Sequence, residues 1–443
     1  MPSSARVAFA TAALLLLAGS GAWAADPAAD VDGIRRQTAQ VRGLEPIVEM
    51  PVEVVDQPTL GRLVTSRLYT ESSIQQYLAR QKLLTLLGLL PPGFDLRGFE
   101  LSLLSEPTAA LYHRGLKTLY VAVPAGALSG DDKIVVAHEL THALQDQYFG
   151  LTFLLPDDPD NSDRQAAVRA LVEGDATMAE VFWGRRFLSP AEKIQIGSGG
   201  QTDASARLRA APLVVREELL FPYQPGLAFV MGLHHLGGYE AVNRALRQPP
   251  QSTEQVIHPD KYLAGDAPRW VQLPPLAEIL GGSWRTLRTD VLGELDLRVL
   301  IQQFGNQIEA GTAAAGWGGD RYAILEDEDG RLVVALVTVW DTEPDAAEFF
   351  NAYLGTVVRR YVSTPIGAQY QPSLARWAVP EGMIQLLRTE DQVRLVFAPD
   401  VDTLDAVANA LAGIREPAGT RSSSFPGQGA GPGRHPPVSS YHR

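Results

Sequence analysis

Apolar residues recur at three- and four-residue spacing through most of the first 285 positions, the periodicity of helices with one buried face. A mostly helical stretch is predicted for residues 30–90. A helix is predicted at 129–147, where Ser129 precedes Asp132 as in an N-terminal capping box. A second long helix is predicted at 162–187. Further helices bounded by proline or glycine are predicted at 204–220, 226–236 and 239–246.

Period-two alternation is confined to shorter segments, which predict strands. A hairpin is predicted from 109–112 and 118–123, joined by a turn that contains Gly115. After Trp284 strands and helices are mixed. Strands are expected there at 322–325, 332–340, 384–388 and 393–398, and helices at 292–304, 344–360 and 403–412. The pattern therefore predicts an α+β fold: a mostly helical unit with a small β-sheet, followed by a smaller α+β unit.

The length of 443 residues favours two domains, because single hydrophobic cores stop growing at roughly 250 to 300 residues. We expect one domain at 25–285 and a second, of no assigned role, at 286–413. Residues 414–443 are rich in glycine, proline, serine and arginine, and we expect a disordered tail.

The first 24 residues have the pattern of a secretory signal peptide. Arg6 supplies the positive charge, residues 7–18 are apolar, and Ala22-Trp23-Ala24 forms a small-x-small cleavage site. We expect cleavage near Ala24 and an exported protein, periplasmic or extracellular. No later stretch is long and apolar enough to predict a membrane span in the mature chain.

Charge and cysteine content exclude several classes of function. The formal net charge of −13 disfavours binding to nucleic acid or to anionic lipid. The chain contains no cysteine, which rules out disulfides, thiolate metal sites and cysteine nucleophiles.

The segment His138-Glu139-Leu140-Thr141-His142 lies inside the helix predicted at 129–147. Residues four apart share one face of a helix, so the two imidazoles can bind one metal ion, and zinc suits that chemistry. Glu139 is rotated by about 100° around the helix, beside the metal but outside its ligand set. This placement suits a catalytic base.

A third ligand is expected from the helix predicted at 162–187. Glu173 lies in the otherwise apolar run Leu171 to Ala176, where burial of a carboxylate is costly unless it is paired or metal-bound. Asp175 is the competing ligand, but it faces about 200° away on a helix, and we prefer Glu173. A surface salt bridge is the ordinary alternative for Glu173.

His-Glu-x-x-His, followed on a later helix by Glu-Gly-x-Ala, resembles the gluzincin clan of zinc metallopeptidases over residues 118–180. The resemblance implies a zincin-like fold and a strand, residues 118–123, that borders the substrate cleft. Several gluzincins carry an aspartate four residues after the glutamate ligand to orient a histidine, whereas this chain has Thr177. Asp146 and Asp175 remain alternatives for that hydrogen bond.

The resemblance also implies a mechanism in which zinc activates the scissile carbonyl and a water molecule while Glu139 transfers the proton. A further donor to the developing oxyanion is usual in such sites. Tyr223 and His258 are our candidates for this catalytic role, with Tyr262 as a third possibility. Tyrosine and histidine side chains in such loops often have only a structural role.

The sequence therefore predicts an exported zinc-dependent hydrolase, a peptidase acting on a peptide or protein substrate. The alternative is a non-catalytic envelope or binding protein in which zinc ties two helices together. Glu139 separates the two readings, because a structural ion does not need an adjacent base.

Overall fold

The computed structural model describes residues 27–66, 71–104, 107–123, 127–154, 160–198, 203–361 and 372–414. The predicted signal peptide lies outside the described residues, as does the predicted tail from residue 415 onward. The fold is α+β, as the hydrophobic pattern predicts.

The N-terminal part of the chain is mostly helical, with three short strands. The strands are β1 (Val52–Val54), β2 (Ala110–His113) and β3 (Thr118–Val121). The helices are α1 (Pro27–Arg42), α2 (Gln57–Ser66), α3 (Glu71–Leu86), α4 (Leu96–Leu104), α5 (Gly130–Phe149), α6 (Leu151–Leu154), α7 (Ser162–Phe187), α8 (Pro190–Ser198), α9 (Asp203–Ala210), α10 (Leu213–Leu220), α11 (Pro225–Arg247), α12 (Thr253–Ile257), α13 (Pro259–Ala264) and α14 (Leu276–Leu280).

Strands β1 to β3 form a sheet in the order β1-β3-β2. Strand β3 pairs in parallel with β1 and antiparallel with β2, with Leu119 opposite Tyr112. The predicted hairpin is thus confirmed. Its second strand is the centre of the sheet, however, because β1, which lies in the stretch predicted as helical, pairs with it from the other side.

Helix α5 begins at the predicted capping box: the Ser129 side chain accepts from the Asp132 backbone, and the Asp132 side chain accepts from the Ser129 backbone. It ends at Gly150, which adopts the left-handed conformation that glycine tolerates best. Val136, Leu140 and Ala143 pack on the sheet. Burial of a leucine there contributes about 1.5–3 kcal/mol. The histidine face of α5 is turned away from this core.

Helix α7 has the predicted bounds and packs between α5 and α11. Helices α7 and α11 approach each other closely. A Cβ added at Gly174 would clash with the backbone of Gly226, and a Cβ added at Gly226 would clash with the backbone of Ala170. Glycine at both positions lets the start of α11 lie directly against the middle of α7. Residue 173 is therefore held next to the segment that precedes α11.

The C-terminal part of the chain is built on a six-stranded antiparallel sheet in the order β4-β5-β6-β9-β8-β7. Alternate residues of β5 contact different cores: Tyr322 and Ile324 face one side, Ala323 and Leu325 the other. The elements are β4 (Arg285–Asp290), α15 (Gly293–Gln302), α16 (Gln307–Ala314), β5 (Trp317–Glu326), β6 (Leu332–Trp340), α17 (Glu343–Tyr361), β7 (Leu374–Val379), β8 (Gly382–Thr389), β9 (Gln392–Ala398) and α18 (Val401–Ala412).

One buried cluster crosses the boundary predicted at residue 285. It joins Leu83 and Leu96 of the N-terminal part to Leu300, Trp340 and Phe349 of the C-terminal part. The two parts therefore share apolar packing, and their division into domains stays a prediction. Within the described residues, the helices lack the combination of length and apolarity that crossing a bilayer would require.

Candidate metal centre

Two histidines of α5 and one glutamate of α7 converge on one point. Glu173 Oε2 lies 3.2 Å from His138 Nε2 and 3.5 Å from His142 Nε2. One ligand atom from each residue lies within 4.8 Å of the other two. The side chains are between 12% and 19% exposed, so the group is partly buried yet open to solvent.

These distances fit a tetrahedral metal ion. Zinc bonds of about 2.0–2.2 Å at tetrahedral angles place two ligand atoms about 3.4 Å apart, close to both measured separations. The two imidazole rings stand nearly perpendicular, with centroids 4.7 Å apart, so their nitrogens approach a common point from different directions. Two imidazoles and one carboxylate are also the donor set of a catalytic zinc site.

The other ring nitrogen of each histidine is hydrogen-bonded. His138 Nδ1 lies 2.8 Å from Glu180 Oε2, and His142 Nδ1 lies 2.8 Å from Gln145 Oε1. Both partners are oxygen acceptors, so we assign the proton of each ring to Nδ1. In the neutral form of each ring, that tautomer leaves the Nε2 lone pair available to a cation shared with Glu173, as metal binding requires.

The sequence offered Asp146 and Asp175 as the residues that orient a metal-binding histidine. The structure instead places Glu180 and Gln145 in that role. Asp146 instead accepts from Tyr112 Oη at 2.7 Å and from Lys117 Nζ at 2.6 Å. Glu180 was missed. It lies seven residues after Glu173, two helical turns on the same face, and that spacing is the signal that could have identified it.

Asp175 does not join the ligand group. It is fully buried and forms an ion pair with Arg42 of α1, Oδ1 to Nε 2.8 Å. It also accepts from Gln145 Nε2 at 2.8 Å, and this bond fixes which end of the Gln145 amide faces His142. Asp175 therefore orients His142 indirectly, through its hydrogen bond with Gln145. The Arg42 side chain is itself fully buried and donates to Asn243 at 2.7 Å.

Electrostatics within the group favour a bound cation. Burial alone would raise the pKa of Glu173, but the adjacent His142 and His138 hold it well below its usual range. Burial would lower the pKa of His138, but its hydrogen bonds to Glu173 and Glu180 raise it well above the ordinary value. Positive charge at this point, from protons or from a metal ion, is therefore stabilised by the surrounding carboxylates.

Glu139 lies beside the group, on the side of the three-stranded sheet. Its Oε2 accepts a hydrogen bond from the backbone N–H of Tyr112 in β2 at 2.7 Å. The sheet order shows that residues 118–121 are not an edge strand, so the reason for expecting them to border the cleft does not hold. Strand β3 is central, and β2 is the edge strand that meets Glu139.

Tyr223 lies close to His138, His142 and Glu173, which together are the candidate metal-binding group. The charge of Glu173, followed by burial and the charges of Glu139 and Glu180, raises the pKa of the Tyr223 phenol well above its ordinary value. It lies just before α11, in the segment that the contact between Gly174 and Gly226 brings against α7.

The structure does not bring His258 to this group. His258 Nε2 lies 3.0 Å from Glu294 Oε1, and Glu254 and Lys261 are its other charged neighbours. The adjacent helix α12 is bonded through Thr253 to Asp163, which precedes Glu173 by ten residues of helix, or about 15 Å. Tyr262 Oη donates to Gln248 O at 2.9 Å, and its ring packs against Phe229.

Comparisons with known proteins add little about this site. Residues 284–408 match a family described as a domain of unknown function, DUF8575, a range that excludes every residue of the metal-binding group. No curated protein matches the chain. The chain is similar to a crystal structure of a candidate hydrolase with a novel fold from Chloroflexus aurantiacus, at 19% identity and a TM-score of 0.37, over 54% of this chain and 88% of that one. A likeness of that degree carries no argument about function.

Proposed function

We propose that this chain is a zinc-dependent hydrolase that cleaves peptide bonds, with His138, His142 and Glu173 as the metal ligands. The observation that carries the proposal is the convergence of their three ligand atoms within 4.8 Å, beside Glu139. Structural zinc sites fill four positions with protein ligands, whereas catalytic sites have three and keep the fourth for water. Three ligands with an adjacent carboxylate favour catalysis.

In this proposal Glu139 is the general base. The hydrogen bond from the Tyr112 N–H holds one carboxylate oxygen of Glu139 in place. Glu139 removes a proton from the attacking water and delivers it to the leaving amine. When bound, zinc supplies Lewis-acid activation of the scissile carbonyl and lowers the pKa of water toward about 7.

Tyr223 is the proposed donor to the oxyanion. A phenol keeps its proton at neutral pH, and the nearby carboxylates raise the pKa of Tyr223 further. A neutral phenol aimed at developing negative charge stabilises the transition state more than the ground state. His258 is left out of the proposal because it is paired with Glu294.

A peptide substrate is favoured by the position of Glu139 next to a sheet edge. Extended peptides bind by adding to an exposed edge strand, and β2 is the edge strand that contacts Glu139. We further propose, from the pattern of residues 1–24, that the chain is exported and acts outside the cytoplasm. N-terminal sequencing of protein from the exported fraction tests that point.

The decisive experiment compares the wild type with Glu139→Gln. We expect stoichiometric zinc in both proteins by elemental mass spectrometry, because Glu139 is not a ligand. We expect the wild type to cleave a proteome-derived peptide mixture, and Glu139→Gln to lose at least about 100-fold of that rate. Chelation should abolish wild-type cleavage, and added zinc should restore it. Zinc bound with equal, negligible turnover in both proteins would instead support the binding-protein alternative.

A further inference from the structure

Two arginine side chains, on the elements that flank the candidate metal-binding group, have no carboxylate partner among the described residues. Arg169 is exposed on α7, one helical turn before Glu173. Arg114 follows β2 and is partly buried, and its guanidinium makes one long hydrogen bond, 3.4 Å, to Leu151 O. Across the residues that the structure describes, no carboxylate lies within ion-pair distance of either guanidinium.

Arg114 lies two residues after Tyr112, whose backbone N–H donates to Glu139, and Arg169 lies one helical turn before Glu173, so both arginines border the proposed catalytic residues. Burial, followed by the positive charge of Arg169, lowers the pKa of Arg114, and the charges of Asp146 and Glu173 act on that pKa in the opposite sense. The positive charge of Arg169 also opposes the rise in the pKa of the Tyr223 phenol. Two like charges held near one another repel, so an anion between them would be stabilised.

Two other acids that these arginines influence are already engaged elsewhere. Asp146 is bonded to Tyr112 and Lys117. Glu100, which Arg169 influences, accepts from the Tyr77 hydroxyl at 2.6 Å. Neither acid serves as the counterion of the two arginines.

Charge balance at the site points the same way. Glu139, Glu173 and Glu180 bring three negative charges, and a divalent ion would offset two of them. The two arginines then leave the site with one positive charge in excess. A single carboxylate from a substrate would neutralise it.

We propose that Arg114 and Arg169 form a subsite for a carboxylate of the substrate, placed beside the scissile bond. The inference rests on the proposed peptidase function. Arg169 precedes Glu173 by four residues, a helical rise of about 6 Å. An extended peptide advances about 3.3 Å per residue, so the carboxylate belongs within about two or three residues of the scissile bond. It is either the C-terminal carboxylate of a peptide or the side chain of an aspartate or glutamate.

The test uses three peptide libraries of equal length. The first has a free C-terminal carboxylate and no acidic side chain, the second is amidated with one aspartate or glutamate, and the third is amidated with no acid. Zinc-loaded Glu139→Gln protein is immobilised, and mass spectrometry measures which peptides it retains. This readout is independent of turnover. Wild-type protein is then assayed for cleavage of the same libraries.

We expect one acidic library to be retained at least about tenfold better than the neutral one, a difference of about 1.4 kcal/mol. Which acidic library is retained identifies the source of the carboxylate. Added salt should reduce the preference. Arg114→Gln and Arg169→Gln, each in the Glu139→Gln background, should bring the ratio toward one, and Arg169→Lys should restore part of it. The matched control is Arg185→Gln, an exposed arginine near the end of the same helix, which should keep the full preference.

The outcomes separate the two proposals. Equal retention of all three libraries, or a preference that persists in both arginine variants, overturns the subsite whether or not the wild type cleaves peptides. A preference that depends on both arginines, together with no cleavage by the wild type, supports the subsite and counts against the peptidase.

Discussion

At the scale of single residues, the site depends on side chains that do not touch the metal position. Glu180 and Gln145 each accept the Nδ1 proton of one histidine and so hold both Nε2 atoms toward Glu173. Gln145 is held in turn by Val172 O and Asp175. Because these acceptors set ring orientation and tautomer, we expect them to contribute to the affinity for the proposed metal ion without binding it.

We therefore expect Glu180→Ala and Gln145→Ala each to weaken zinc binding by about 10- to 100-fold. Competition with a chromophoric chelator measures this affinity. Gln147→Ala is the control, because Gln147 lies on the same helix but bonds to the backbone of Ile47 and Val48. Zinc affinities indistinguishable from the control would show that the imidazoles keep their orientation without these acceptors.

At the scale of elements, the close contact between α7 and α11 holds the segment that carries Tyr223 next to the middle of α7. Gly174 and Gly226 allow a backbone approach that any side chain would prevent. Gly174 directly follows Glu173, so a displacement of α11 would move both the proposed ligand Glu173 and the proposed oxyanion donor Tyr223.

Gly174→Ala should destabilise the fold by about 1–3 kcal/mol, because the added methyl group has no space. We also expect weaker zinc binding. The matched control is Gly232→Ala on α11, where an added Cβ meets nothing within 4 Å, and there alanine should be neutral or stabilising by up to about 1 kcal/mol. Urea unfolding measures the free energy of unfolding of both variants. Equal values would mean that α7 and α11 can move apart without loss of stability.

A buried aspartate connects α15 to β5 and makes this contact dependent on pH. Asp320 accepts hydrogen bonds from the backbone of Leu292 and Gly293 and from Trp317. Burial raises its pKa to about 6, although those hydrogen bonds oppose the shift. In unfolded chains the pKa of aspartate is about 3.9.

The folded state thus holds the Asp320 proton more tightly than the unfolded chain does. The resulting stabilisation is complete below about pH 4 and is lost as pH rises to about 6, a change of about 3 kcal/mol. Asp320→Asn cannot titrate. Urea unfolding at intervals from pH 4 to pH 7 should show the stability of the wild type, relative to Asp320→Asn, falling over this window. A constant difference would contradict the shifted pKa.

At the scale of the whole molecule, the helical part and the C-terminal sheet stabilise each other. The shared cluster places Leu83 and Leu96 against a core that contains Leu300 and Trp340. The ion pair of Lys82 with Glu326 crosses the same boundary. Removal of the C-terminal part would therefore expose apolar surface of the part that carries the metal-binding group.

Residues 25–285 expressed alone should consequently be less stable than the full chain and prone to aggregation. Thermal unfolding followed by circular dichroism, together with light scattering, measures both properties. A soluble fragment with the melting temperature and zinc affinity of the full chain would show two independent domains. That outcome would restore the simple division expected from length.

Much of the local structure could be predicted because it depends on interactions within a few residues. The capping box of Ser129 and Asp132 marks the start of α5, and helical periodicity places His138 and His142 on one face. The bounds of α7 follow from the same kind of pattern. The strands β1, β4 and β7 were missed, since they are short or flank the predicted sheet and are stabilised by pairing with distant strands.

Sequence alone determined which residues could bind a metal, because their spacing on two helices is a local property. Only the tertiary structure decided which groups orient them. Arg42 reaches Asp175 across 133 positions of the chain, Gln145 connects Asp175 to His142, and Tyr112 meets Glu139 from the edge of the sheet. The same long-range packing paired His258 with Glu294 and left Tyr223 near the site. Such contacts depend on how helices and strands pack, and no local pattern of residues encodes that packing.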